Sequence, residues 1–312
     1  MTPIHFGPSP LYCKVVGEAV TAFVDNLTGA GDTDEGKATA LQSALDHLHT
    51  QFYARVPALD YGSPINRAAY LYCYVPALAT ACERTLTESK LAMAAIKSKV
   101  ESEGELRVFA IGGGPGTELL ALSKLLVSQG WFRGPVNVEF QLLDQVGEWA
   151  ATLSQLKIAI NKQWDKSFGR KNRPLHLSTN IIVVDACAGD SLISFAEPAL
   201  SSDIYIANYF LSELAGNWEE SIPLFKHLVH DAPPEAVFVL IDRAQSTVEE
   251  HARELFDAVG LMVEESAQLK AAERLDPLEQ FSDLGKYFDL MDRGPQAGMK
   301  RFYLIGRRGP PF

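Results

Sequence analysis

The sequence predicts an α/β fold, a doubly wound and mostly parallel sheet with helices on both faces, preceded by an all-helical N-terminal region. Three observations support this. Strand-forming and helix-forming segments alternate after residue 105, as they do in parallel sheets. A glycine-rich loop joins the first of these strands to the helix that follows it. Before that loop, apolar residues recur at helical spacing over about a hundred residues.

Length and composition set the broad class. The 312 residues fit one large α/β domain with an appendage, or two modest domains. Hydrophobic residues make up 47% of the chain, which is enough to form a sizeable core. The formal net charge of −11 predicts a surface that repels phosphate backbones, which disfavours binding to bulk nucleic acid. A nucleic-acid substrate presented by a partner remains compatible with this charge.

The cysteines and the N-terminal residues give an expectation for the cellular compartment. The four cysteines are scattered and form no C-x-x-C pair, so they predict neither a zinc site nor a disulfide framework. Reduced cysteines predict an intracellular, cytoplasmic protein, with the nucleus as the alternative. The first eight residues do not resemble a signal peptide, and no apolar run is long enough to span a bilayer, so we expect no membrane association.

The N-terminal region should contain four helices. Apolar spacing predicts the first over residues 11–27 and a second that carries Leu41, Leu45, Leu48 and Phe52 on one face. Ser63 and Pro64 are typical of the start of a third helix, which Pro76 should kink or interrupt. The fourth is predicted over residues 88–100. The polar segment 101–105 then separates a helical region, 1–104, from an α/β domain, 105–312.

A tyrosine-rich stretch opens the third helix. Tyr61, Arg67 and Tyr70 are candidates for contact with a substrate, because rings and a few polar groups are typical of ligand pockets. The alternative has equal weight: tyrosines are common on half-buried helices whose hydroxyls reach water.

The glycine loop carries the strongest functional signal. A strand over 106–111 leads into Gly112, Gly113, Gly114 and Gly116, and a helix begins at once with Thr117 and Glu118. Glycines allow the turn and the close approach of a ligand, and the helix N-terminus offers free N–H groups to it. The spacing is G-x-G-x-G. The dinucleotide fingerprint needs its last glycine where Thr117 stands, so the loop fits NAD poorly.

This loop resembles motif I of the class I S-adenosylmethionine-dependent methyltransferases. The resemblance covers residue 106 to the C-terminus. It implies S-adenosylmethionine as the cofactor, and seven strands with the last one antiparallel. The sequence predicts no metal site. Motif I and the acidic residues at strand ends then give the candidate cofactor-binding residues: Gly112, Gly113, Gly114, Gly116, Glu118, Asp144, Gln145, Asp185, Ala186 and Asn208.

Two aspartates follow predicted strands. Asp144 ends the second strand, over 136–143, where a carboxylate can accept hydrogen bonds from both ribose hydroxyls. It lies 32 residues after Gly112, against about 20 in the dinucleotide fold, and the loop at 130–135 accounts for the excess. The alternative is a helix cap. Asp185 follows the third strand, over 180–184. The resemblance places Asp185 and Ala186 against the adenine.

The fourth strand and its turn, 203–214, should face the transferred group, because ligands bind at the carboxyl ends of such strands. Asn208, Tyr209 and Glu213 are therefore the candidate catalytic residues. The turn resembles motif IV of the family and partly resembles the Asn-Pro-Pro-Tyr motif of some amino-nitrogen methyltransferases, without its prolines. A faint likeness, shared with the helix around Arg67, links it to methyltransferases that modify bases of ribosomal RNA.

The remaining segments complete the sheet. Strands are predicted over 236–241, from residue 261, and over 301–305, and a long insert precedes the last of them. The spacing of Leu278, Phe281, Leu284, Phe288 and Met291 predicts an amphipathic helix in that insert. A basic cluster over 162–173 is either a solvated loop or a site for an anionic partner.

The predicted function is methyl transfer from S-adenosylmethionine to an unidentified acceptor, which could be a small molecule, a protein or an RNA base. Glu213 or Tyr209 would orient or deprotonate that acceptor, and Asn208 could accept a hydrogen bond from it. Two alternatives come from other classes. A nicotinamide-dependent oxidoreductase is disfavoured by Thr117 and by the lack of a Tyr-x-x-x-Lys pair. The other alternative is a non-catalytic scaffold or partner subunit that keeps the cofactor loop. The sequence does not predict an oligomeric state.

Overall fold

The computed structural model describes residues 11–27, 31–52, 60–131, 134–188, 201–214 and 216–309. The first ten residues, where the sequence predicts no signal peptide, lie outside these ranges. Four helices form the N-terminal region, as predicted: α1 (Tyr12–Asp25), α2 (Asp34–Phe52), α3 (Pro64–Glu88) and α4 (Lys90–Glu103). None of the described helices combines the length and hydropathy that a bilayer crossing requires.

A seven-stranded sheet follows, and it confirms the predicted fold class. Its strands are β1 (Glu105–Ile111), β2 (Val136–Asp144), β3 (Leu175–Val183), β4 (Ile204–Asn208), β5 (Val237–Arg243), β6 (Leu261–Arg274) and β7 (Gly298–Arg308). Their order across the sheet is β3-β2-β1-β4-β5-β7-β6. The first five strands are parallel, and β7 is antiparallel to both of its neighbours. The order reverses between β1 and β4, which is where open α/β sheets bind ligands.

Helices cover both faces of this sheet. The later helices are α5 (Thr117–Gln129), α6 (Trp149–Phe168), α7 (Ile222–Asp231), α8 (Ser246–Ala258) and the short α9 (Lys286–Leu290). Side chains of α5 and α6 share a core with one face of the sheet, and those of α7 and α8 with the other. The N-terminal helices α1 to α4 belong to the first of these cores. They therefore pack on the same side as α5 and α6.

Helix α3 runs through Pro76, so of the two effects predicted for this proline the interruption does not occur. A proline inside a helix removes one backbone hydrogen bond and costs about 3 kcal/mol. Here most side chains of α3 are buried, from Asn66 to Leu86. Burial of that much apolar surface outweighs the cost of one proline, so the helix continues.

The insert before β7 also differs from the prediction. In place of one amphipathic helix it contains a single 3₁₀ turn (Phe281–Leu284) and the short α9. Glu279 explains the arrangement, because its carboxylate accepts from the backbone N–H groups of Leu11, Tyr12 and Cys13 at the start of α1. This capping of a distant helix holds the insert in a path that a continuous helix could not follow.

The basic cluster is largely neutralised locally. Lys162 and Lys166 both pair with Glu18 of α1, and Arg173 pairs with Asp165. Strand β3 begins soon after this segment, at Leu175, five residues earlier than predicted. These pairings favour the solvated-surface interpretation over a site for an anionic partner.

Candidate active site

A cavity of about 400 Å³ opens at the carboxyl ends of β1, β2 and β4. We call it the first cavity. Ten of the residues that the sequence singles out line it: Tyr61, Tyr70, Gly112, Gly113, Gly114, Glu118, Asp144, Gln145, Asn208 and Glu213. Asp185 and Ala186 complete that set at the cavity's β3 side. Segments up to 152 positions apart in the sequence therefore meet at one point.

The glycine loop is bound tightly to the end of β2. The backbone N–H of Gly112 donates to the carbonyl oxygen of Leu143 at 2.8 Å. Gly112 has a φ of +63°, and a Cβ atom added there would lie 2.5 Å from the Phe210 ring. Conformation and space both require glycine at this position.

We expect Gly112→Ala to destabilise the protein by about 2 kcal/mol, from left-handed backbone strain and contact with Phe210. Thermal unfolding would measure the loss. Gly104→Ala is the matched control, since Gly104 also has a positive φ of 66° but would meet no atom within 4 Å. Equal losses in the two variants would contradict a packing role for Gly112.

Asp144 lies directly beside this loop. Its Oδ2 accepts from the backbone N–H of Gly114 at 3.0 Å, and its Oδ1 accepts from that of Val146 at 2.9 Å. Burial raises the pKa of Asp144, and these backbone donors oppose the rise. A carboxylate has about four lone-pair sites, so acceptor capacity remains on both oxygens.

Glu118 and Asn208 form a buried polar pair in the cavity wall. The Asn208 side-chain amide donates to Glu118 Oε1 at 2.9 Å, although the two residues are 90 positions apart. Glu118 is 2% exposed, and burial raises its pKa to about 7. Two acceptors are left over: Glu118 Oε2 and Asn208 Oδ1 are buried and receive no hydrogen bond from any described residue.

Glu213 lies half-buried in the turn after β4. Burial raises its pKa to about 8, and the nearby Asp144 carboxyl adds to the rise. The guanidinium of Arg243, at the end of β5, lowers it in part. Glu213 therefore changes its charge near neutral pH, which suits a group that accepts a proton.

Aromatic rings from the helical region and from α6 close one side of the cavity. The Tyr61 ring lies 5.5 Å from that of Tyr70 and 5.2 Å from that of Trp149, between ring centroids. Both tyrosines were substrate candidates, and the structure places them in the cavity lining. Such rings attract cations as well as apolar groups.

Three of the candidate residues do not line the first cavity. Gly116 caps α5 with a φ of +87° and packs against Leu153. The Arg67 guanidinium is buried and donates to the carbonyl oxygens of Tyr61 and Gly62, so it holds the Tyr61 loop in place. The Tyr209 hydroxyl donates to the carbonyl oxygen of Lys300 at 3.1 Å, outside this cavity.

Sequence reasoning missed Trp149 and Arg243, which both line the first cavity. Arg243 had an available signal, because it ends a predicted parallel strand, as Asp144 does. The backbone conformation of Tyr209 had no sequence signal: its φ is +59°, the only positive φ among the described non-glycine residues. Strained backbone of this kind is frequent at functional sites. Here it redirects the chain after Asn208.

The solved structures to which the chain is similar include three methyltransferases, all at low identity. The mitomycin 7-O-methyltransferase shares 14% identity, covering 93% of this chain and 75% of its own, with a TM-score of 0.41. A putative RNA methyltransferase from Pyrococcus horikoshii shares 14%, covering 90% and 100%, with a TM-score of 0.40. The precorrin-6y C5,15-methyltransferase from Geobacter metallireducens shares 15%, covering 72% and 92%, with a TM-score of 0.36.

A family model gives the assignment. No curated protein matches the sequence. The model of a family described as "Putative SAM-dependent methyltransferase" matches residues 29–253, which is well over half of the chain. That match includes the glycine loop, Asp144, Asp185 and the turn after β4. The chain thus belongs to this family of S-adenosylmethionine-dependent methyltransferases, and S-adenosylmethionine is its cofactor.

Proposed function

We propose that the first cavity binds S-adenosylmethionine and that the methyl acceptor enters beside Glu213. When bound, the cofactor supplies a methyl group made electrophilic by its sulfonium, and the electron pair of the breaking carbon–sulfur bond stays on sulfur. The chain's own residues must hold the cofactor, orient the acceptor's lone pair and accept its proton.

The unpartnered acceptors in the cavity wall are the observation that supports this most strongly. Glu118 Oε2 and Asn208 Oδ1 are buried without a donor among the described residues. A buried acceptor without a partner costs about 1–3 kcal/mol. The α-ammonium of S-adenosylmethionine is a charged donor, and we assign it to this pair. NAD lacks an ammonium group that could serve both oxygens.

The remaining cofactor contacts follow from position. We propose that Asp144 accepts from the ribose hydroxyls, using the capacity that Gly114 and Val146 leave free. We assign the adenine to the side of the cavity formed by Gln145, Asp185 and Ala186. The backbone N–H of Cys187 donates to Asp185 Oδ1 at 2.9 Å, which fixes the carboxylate there.

Glu213 is our candidate for the proton acceptor. It lines the first cavity and borders a second one, so it lies where cofactor and acceptor would meet. Asn208, already bonded to Glu118, would orient the cofactor more than the acceptor. Tyr209, whose hydroxyl is bound to a backbone carbonyl, would shape the turn and not transfer a proton.

The acceptor itself could be a small molecule, a protein or an RNA base. The net charge of −11 and the local pairing of the basic cluster argue against bulk nucleic acid. We propose that residues 1–104 form the acceptor side of the site, because Tyr61 and Tyr70 line it. The four free cysteines, three of them buried, support a reducing compartment such as the cytoplasm.

Calorimetric titration with S-adenosylmethionine, S-adenosylhomocysteine and NADH tests the cofactor assignment. We expect the first two to bind and NADH not to bind. In Asp144→Asn the affinity for both ligands should fall about tenfold, because one charge-assisted hydrogen bond is lost. Asp165→Asn, at a partly buried ion pair that does not line the cavity, is the control. Binding of NADH alone would overturn the proposal.

A further inference from the structure

A second cavity, of about 570 Å³, adjoins the first. Four residues line both: Tyr70, Leu78, Glu213 and Arg243. The rest of its wall comes from α2 and α3, from the chain after β4 and after β5, from β6, and from the segment that leads into β7 together with the start of that strand. It includes Tyr74, Tyr209, Arg293 and Met299. This volume suits a ligand of small-molecule size. The shared wall places such a ligand next to whatever occupies the first cavity.

The second cavity is positively charged although the chain is strongly acidic. Arg243 and Arg293 line it, and among the described residues Glu213 is the one carboxyl group in its lining. Because the pKa of Glu213 is about 8, that carboxyl is mostly neutral at pH 7. The first cavity shares Glu213 and Arg243 but adds the carboxyl groups of Glu118, Asp144, Asp185 and Glu220, and no further lysine or arginine among the described residues lines it. The two cavities therefore favour ligands of opposite charge.

Arg293 has unused donor capacity. Its Nη1 is buried and donates to no acceptor among the described residues. Its Nε lies 3.5 Å from Asp46 Oδ1. The side chains of this ion pair are 39% and 55% exposed, so the pair contributes little. A guanidinium binds carboxylate or phosphate through two parallel N–H groups, so a bound anion would satisfy the buried one.

The wall nearest the first cavity is aromatic. The rings of Tyr70 and Tyr74 lie 5.2 Å apart between centroids and are tilted by 45°. Leu78 and Met299 add apolar surface around them. Tilted rings flanked by apolar side chains favour a planar ligand, because aromatic groups pack edge-to-face or offset against one another.

We propose that the acceptor is a small planar molecule with a carboxylate or phosphate group, bound in the second cavity. Its ring packs against Tyr70 and Tyr74, and its anion binds Arg293 and Arg243. The ring atom that receives the methyl group then faces Glu213. This inference rests on the proposed function, since it takes the first cavity as the cofactor site.

The test measures the binding of simple rings to the protein saturated with S-adenosylhomocysteine, which keeps the first cavity filled. The probes are benzoate and phenyl phosphate, with neutral benzamide and inorganic phosphate as controls. Ligand-observed NMR at millimolar concentration detects such weak binding. We expect both ring anions to bind about tenfold more tightly than benzamide or inorganic phosphate. The ring anion that binds more tightly indicates whether the acceptor carries a carboxylate or a phosphate group.

Three substitutions locate the site. Arg293→Gln should weaken ring-anion binding about tenfold, through the loss of one charged donor. Asp46→Asn should strengthen it, because the competing carboxylate is removed. Arg274→Gln, at an exposed arginine of β6 that lines neither cavity, should leave it unchanged. All three should bind S-adenosylhomocysteine normally.

The outcomes separate the two proposals. If the unmodified protein did not bind S-adenosylhomocysteine, the proposed function would be refuted. Normal binding of that ligand, with no preference for ring anions or no effect of Arg293→Gln, would refute the acceptor class alone. Tighter binding of benzamide than of the ring anions would contradict the predicted preference for anions and indicate a neutral acceptor.

Discussion

Replacing Glu118 with glutamine should lower the affinity for S-adenosylmethionine at pH 8 by roughly thirtyfold, the value of a buried charge-assisted hydrogen bond. In the free protein, burial raises the pKa of Glu118 to about 7. A bound ammonium favours the ionised carboxylate, so the cofactor should lower this pKa and release a proton near neutral pH. Affinity in the unmodified protein should therefore fall about tenfold from pH 8 to pH 6.

Calorimetry in two buffers of different ionisation enthalpy measures that proton directly. The Glu118→Gln variant should show neither proton release nor the pH dependence of affinity that Glu118 causes. S-adenosylhomocysteine carries the same ammonium without the sulfonium, so it should release the same proton. If the variant kept the full pH dependence, the ammonium would not be bound at Glu118.

The same carboxyl has a consequence for stability. The pKa of Glu118 is higher in the folded protein than its ordinary value of 4.5, so folding disfavours the ionised form. The penalty is absent below about pH 4.5 and complete above about pH 7. Thermal stability of the cofactor-free protein should thus decline between these values, and the decline should be shallower in Glu118→Gln.

Replacing Glu213 with glutamine should reduce methyl transfer at least a hundredfold, because general-base catalysis contributes about 10²- to 10⁴-fold. Glutamine is neutral, as Glu213 mostly is at pH 7, so cofactor affinity should change little there. In the unmodified enzyme, activity should rise with pH and level off above about pH 8, as Glu213 ionises. A bound cofactor cation would shift this midpoint downward.

Incorporation of labelled methyl groups into fractions of a cell extract measures this activity without a known acceptor. Glu219→Gln is the matched control, since it makes the same substitution at an exposed carboxyl group that lines neither cavity. It should retain most of the activity. An active Glu213→Gln enzyme with an unchanged pH profile would remove Glu213 from the proton transfer.

Much of the cofactor side of the site could be predicted from sequence. Asp144, Asp185 and Asn208 each lie at the carboxyl end of a parallel strand, and such ends meet on one edge of the sheet. The glycine loop precedes α5, where the free N–H groups are. Once alternating strands and helices were recognised, these residues had to lie close together. Their individual roles in binding remain predictions.

Other features depended on long-range packing. The bond between Glu118 and Asn208 joins residues 90 positions apart, and no local pattern marks it. Arg67 was a substrate candidate, but α3 is buried on so many sides that its guanidinium is directed onto the Tyr61 loop. The periodicity at 278–291 predicted a helix, and the capping of α1 by Glu279 decided otherwise.

The sequence by itself determined the fold class and the cofactor, because both follow from local patterns: the alternation of strands with helices, and a glycine loop that resembles motif I of the methyltransferases. The tertiary structure decided the second cavity and its charge. Arg243 and Arg293 are 50 positions apart and belong to different segments, so only packing brings them into the lining of one cavity. A site assembled from distant segments leaves no periodic trace in the chain.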